Sequence, residues 1–123
     1  MKILASRLLA ATTALSFLSL LAACRSDHVE ITVQNQTGAS VRLLEVDYPS
    51  ASFGTGSLAS GATYHYRIQV QGSGPLNITY AGAQNAQPHI SGPTLVDHQR
   101  GSLEIVLLPG GKAEFHPQLT PNH

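Results

Sequence analysis

The chain has 123 residues, seven Lys and Arg against seven Asp and Glu, and a formal net charge of zero. Only 11% of its residues are charged and 42% are apolar, and it contains one cysteine, one methionine and no tryptophan. A surface so weakly charged argues against binding to nucleic acid and against electrostatic docking on anionic lipid, and a single cysteine rules out an internal disulfide framework.

The first element is a basic start (Lys2, Arg7), followed by an apolar run from Leu8 to Ala22 and by Leu21-Ala22-Ala23-Cys24. This is the order of a secretory signal: charge, apolar core, small residues at the cut. The run is shorter than the roughly 20 residues a bilayer span needs, although an uncleaved helix with an incidental cysteine is the alternative. Leu at −3, Ala at −2 and −1 and Cys at +1 resemble the lipobox of bacterial lipoproteins. That resemblance implies that residues 1–23 are a signal peptide, that Cys24 carries lipid as the first mature residue, and that the protein is attached to a membrane of the cell envelope. In lipoproteins of the enterobacterial kind an aspartate after the cysteine marks inner-membrane retention. Arg25 therefore favours the periplasmic face of an outer membrane where the organism has two membranes.

Residues 24–27 form a lipidated tether, and 28–116 read as one domain. From residue 24 onward five basic face seven acidic side chains, a formal charge of −2. No helical periodicity of useful length occurs. Short alternating runs separated by Gly, Pro, Asn and Ser predict strands instead. The first is His28 to Asn35, with Val29, Ile31 and Val33 on one face, ending in the turn Asn35-Gln36-Thr37-Gly38. The second, Val41 to Asp47, slips in its alternation at Leu43-Leu44, which predicts a bulge or burial on both sides. The third, Thr63 to Gln71, places Tyr64, Tyr66, Ile68 and Val70 inward and His65, Arg67, Gln69 and Gln71 outward. Gly72-Ser73-Gly74-Pro75 turns it into a fourth, with Leu76, Ile78 and Tyr80 inward. A short fifth is expected at 94–97. The sixth, Ser102 to Leu108, is apolar on both faces over Ile105 to Leu108, which fits a central strand. Pro109-Gly110-Gly111 leads into the last, Lys112 to His116, and 117–123 read as a frayed tail.

About seven strands joined mostly by short turns predict an all-β fold, an antiparallel two-sheet sandwich, with a small β-barrel as the alternative. The look is immunoglobulin-like without the Cys…Trp…Cys spacing, so it carries no function. Two longer stretches, 48–61 and 82–93, are the possible binding loops, through Tyr48, Phe53 and His89. Tyr48 and Phe53 form either an aromatic platform for a sugar or peptide or a plug at one end of the sandwich. If successive strands alternate direction, both loops lie at the pole of residue 28, facing the membrane.

Chemistry is sparse. No two of the six histidines have the spacing of a local metal clamp, though His65 and His116 share an outward face. A triad from Ser91 or Ser102, His98 and Asp97 has poor geometry, because neighbours on a strand point to opposite faces. Glu45 and Asp47 read as a solvated edge, with calcium a remote option. Asn35-Gln36-Thr37 and Asn77-Ile78-Thr79 match the glycosylation pattern, which a bacterial lipobox makes irrelevant. The expectation is a non-enzymatic, lipid-anchored binding or structural accessory module with no cofactor or metal. Its partners are the membrane and an envelope protein complex. A carbohydrate or small-ligand binding module, and an envelope enzyme with its site between the long loops, are the alternatives.

Overall fold

The computed structural model describes residues 27–120. The expected signal segment, Cys24 and Arg25 lie outside the described residues. Eight strands form two four-stranded sheets: β1 (Val29–Asn35), β2 (Val41–Tyr48), β3 (Ala51–Leu58), β4 (Thr63–Ile68), β5 (Gly74–Ala81), β6 (His89–Leu95), β7 (Arg100–Leu108) and β8 (Lys112–Thr120). One sheet has the order β4-β1-β7-β8 and the other β3-β2-β5-β6. The fold is an open two-sheet sandwich and not a closed barrel. All pairs are antiparallel except β1 with β7, which run parallel.

Alternation dictates the core. Val29, Ile31, Val33, Ile68, Leu76, Ile78, Leu103, Ile105 and Leu107 are all at most 1% exposed and meet between the sheets. β7 is central and buries Val106 on its outer side as well, as its two-sided apolar run predicts. The slip at Leu43-Leu44 is a bulge: β2 shifts register against β5 between Arg42 and Glu45. Leu43 takes a left-handed φ of 52° there.

Three expectations about elements are corrected. The 48–61 stretch is not a loop but holds β3, paired to β2 through a hairpin at residues 49–50. Its Gly, Ser and Ala content hid it, because β3 is an edge strand that buries only Phe53 and Leu58. The fifth predicted strand is longer and earlier, at 89–95. β8 continues through Pro117 to Thr120, with Leu119 against the core. Proline is compatible with an edge strand, whose outward N–H groups have no ladder partner to lose.

The parity of β4 is as the alternation predicts: Tyr64 and Tyr66 sit opposite Val33 and Ile31, on the inward side. Their burial is not. Tyr66 is 42% exposed and Tyr64 half-buried, because β4 is an edge and the inner face of an edge opens to solvent. Tyr80, on central β5, is the one of the three that is a core residue, at 5% exposure.

Asn35 ties the pole where β1 ends. It is fully buried, and its Nδ2 donates to the carbonyls of Ala39 (2.8 Å) and Leu58 (2.9 Å). Its Oδ1 accepts from Thr37 N (3.0 Å) and Thr37 Oγ1 (2.7 Å). The 35–38 segment thus crosses between sheets and is not a tight hairpin. Asn35→Ala is expected to cost about 2–3 kcal/mol, because a buried carbonyl loses its donor. Asn35→Asp should cost more, since it turns a donor into an acceptor facing two carbonyls. Chemical denaturation of the three proteins checks this, and an Asp variant as stable as wild type would refute the bonding scheme.

Candidate functional site

Strand directions fix two poles. The pole of Val29 holds the 49–50, 69–73 and 96–99 connections. The opposite pole holds the 36–40, 59–62, 82–88 and 109–111 connections. At this second pole lies a cleft of about 650 Å³. Three segments far apart in sequence form it: Thr37 to Val41, Tyr80 to His89, and Leu108 to Gly111.

Local chemistry shapes each wall. Pro109-Gly110-Gly111 makes the β7–β8 turn, with φ of +82° and +71° at the two glycines, values that side chains disfavour. The 82–86 loop closes on itself through Gly82 N to Ala86 O (2.8 Å) and Ala86 N to Ala83 O (3.2 Å). Gln84 and Asn85 both adopt left-handed φ, 58° and 60°. Two consecutive non-glycine residues in this region store of order 1 kcal/mol each, and such strain recurs at binding loops. Thr37, Ser40, Gln84, Gln87 and His89 supply hydroxyl, amide and imidazole groups; Val41, Pro88 and Leu108 supply apolar surface. Among the described residues, no Asp, Glu, Lys or Arg lines it. Burial pushes the Tyr80 hydroxyl above its ordinary pKa.

His89 therefore lines a cleft, but Tyr48 and Phe53 are elsewhere. Those two rings meet each other at 6.3 Å between centroids, tilted by 47°. Phe53 is buried and stacks on Tyr66 at 4.5 Å and 7°. Together with Tyr64, whose hydroxyl donates to Gly54 O across the sheets at 3.0 Å, they close the flank between β3 and β4. These rings line a flank of the sandwich and not one of its ends. Burial raises the Tyr48 pKa, helped by the neighbouring Tyr66.

The orientation expected for the loops is overturned. β3 inserts one more reversal, so 82–88 lies at the pole opposite residue 28. His65 and His116 do not approach: they end the row His65–Thr32–Glu104–His116 on opposite edges, roughly 14 Å apart at about 4.8 Å per strand. Asp97 and His98 are not on a strand but in the β6–β7 turn, where His98 Nε2 is 3.6 Å from Asp97 Oδ2 and Nδ1 is 3.7 Å from Asp27 Oδ2. Asp27 also accepts from Arg100. Neither serine joins them: Ser91 Oγ donates to Asn77 Oδ1 (3.2 Å), and Ser102 pairs with Glu30 in the other sheet. Glu45 and Asp47 do share the outer face of β2. A hydrogen bond with Asp47, then its like charge, pushes the Glu45 carboxyl above its ordinary pKa. Among the described residues no three of His, Cys, Asp and Glu gather as metal ligands.

Sequence reasoning singled out the 82–93 stretch but missed its partners across the cleft, Thr37, Ser40 and the Gly110–Gly111 turn. It also missed Leu43, which the bulge turns out to solvent at 72% exposure; the slipped alternation was its signal. Compared with known proteins, the chain matches no family model, no curated protein and no solved structure.

Proposed function

We propose that this chain is a lipid-anchored, non-enzymatic protein of the bacterial envelope that holds a neutral, hydroxyl-rich ligand, a short glycan, in the cleft between the 37–41, 80–89 and 108–111 segments. The observation that carries the reading is the lining: amides, hydroxyls and one imidazole beside apolar surface, with no Asp, Glu, Lys or Arg among the described residues. Such groups hydrogen-bond a polyol without demanding charge. The cleft's place supports the role of the anchor. Residue 27 is held at the Val29 pole by Arg100, and the resemblance around Cys24 puts the lipid three residues earlier, at most about 10 Å away. The seven residues of β1 then carry the cleft roughly 23 Å farther from the bilayer, where a ligand in the surrounding compartment reaches it.

Two experiments separate anchor from ligand. Cys24→Ala should abolish acyl labelling and lipoprotein processing; wild-type protein recovered soluble and unlabelled ends the anchoring half. Two or three acyl chains are needed for stable attachment, since one binds only marginally. For the ligand half, the probe is the neutral N-acetylglucosamine trimer. Amide resonances of residues 82–89 and 110–111 should shift on titration, and Ser40→Trp, which fills the cleft, should abolish the shifts. Shifts confined to Tyr48, Phe53 and Tyr66, or none, reject the cleft as a glycan site.

A further inference from the structure

We infer that the outer edge of β3, which no described strand pairs, is a self-pairing edge, on which a second copy of this chain lays its own β3 antiparallel and joins two four-stranded sheets into one of eight strands. An edge strand offers a row of unpaired N–H and C=O groups, and proteins normally blunt it with charge, proline or brevity. Three of the four edges here are blunted. β4 is six residues long and carries His65 and Arg67; β6 carries His89 and Pro93; β8 carries Lys112, Glu114, His116 and Pro117. β3 is eight residues long and has neither an ionisable group nor a proline. Ala51, Ser52, Gly54, Gly56 and Ser57 along it are exposed. Two of its carbonyls already accept one hydroxyl each, Gly54 O from Tyr64 (3.0 Å) and Ser57 O from Thr55 (3.3 Å), which leaves each a second lone pair.

The flank extends onto β4 of the other sheet, where Tyr66 stacks on buried Phe53 yet remains 42% exposed. An occupant of the β3 edge therefore also meets an aromatic surface. A second copy fits both features. Two-fold pairing sets each residue against one from the same strand, and an uncharged strand of small side chains does this without placing like charges opposite each other. The same symmetry brings exposed Tyr66 toward its own copy, apolar surface to apolar surface. Eight residues span about 27 Å, and two layers about 10 Å apart make a flank roughly 20 Å thick with their outer side chains, so each copy offers roughly 500 Å². That total of about 1,000 Å² is the lower end for a specific interface, so the pair is concentration-dependent.

The test uses the full chain, purified from membranes in a non-ionic detergent. Sedimentation equilibrium should show a reversible monomer–dimer step. Ser52→Lys with Ser57→Lys, which puts like charges along the paired edge, should raise the dissociation constant about tenfold or more while leaving the thermal midpoint unchanged. In intact membranes, Ser52→Cys with Ser57→Cys, which fall opposite each other when residues 51–58 of two copies pair antiparallel, should give a disulfide-linked dimer above the level of the parental chain, and Gln118→Cys on the β8 edge should not. A wild-type chain that stays monomeric, a dimer indifferent to the two lysines, equal cross-linking from the 52/57 pair and from position 118, or a cross-link from the 52/57 pair to a different protein would each overturn the proposal.

Discussion

Ile68→Asp is expected to abolish cooperative folding. Ile68 is 1% exposed at the end of β4 and packs into the core opposite Val29. Loss of the buried aliphatic side chain costs about 2–5 kcal/mol, and an unpaired carboxylate in its place adds several more. The sum is comparable to the whole stability of a typical domain, about 5–15 kcal/mol. Tyr66→Asp, two residues earlier on the same face, should be far milder. Its ring is already 42% exposed, so the loss is chiefly its stacking on Phe53 and Tyr64, about 1–2 kcal/mol. His65→Asp, on the outer face, should fall within about 0.5 kcal/mol of wild type. Thermal unfolding ranks the three. Equal damage from Ile68→Asp and Tyr66→Asp would mean that β4 is not an edge.

Gly101→Ala is expected to lower the unfolding midpoint by roughly 10–20 °C, from about 2–3 kcal/mol lost in a domain of this size. Gly101 is the second residue of β7 and has a φ of +122°, a conformation that side chains rarely adopt. A Cβ there would stand 2.2 Å from Gln118 O and 2.9 Å from Leu119 Cα, closer than real Cβ atoms come. Both neighbours are β8 backbone, so no side-chain rotation relieves the contact and β8 must move away from β7. That movement would also strain the bond from Gln99 Nε2 to Thr120 O, 2.7 Å, which fastens the end of β8. Hydrogen exchange should report lost protection at 117–120 before the rest of the sheet. Gly56→Ala is the control, because no described residue lies within 4 Å of a Cβ there. If both variants melt alike, the close approach of β7 and β8 is wrong.

Period-two alternation by itself determined the all-β class, the inward sets on β1 and β5, the two-sided burial on β7, and the slip at Leu43-Leu44, which the tertiary structure resolves as a bulge. These follow from local geometry, since side chains alternate across a strand whatever its neighbours. The same rule gave Tyr66 its correct face. It did not give its exposure, because whether an inward face is covered depends on which strand lies at an edge. Edge position also hid β3, whose small residues carry little strand signal when only Phe53 and Leu58 need to pack. One missed strand reversed the parity of everything after it, and so moved the 82–88 loop to the pole opposite residue 28. The cleft was out of reach of sequence for a related reason. Its walls at 37–41, 80–89 and 108–111 are joined only by the crossing of strands between sheets, and no local pattern records which connections share a pole.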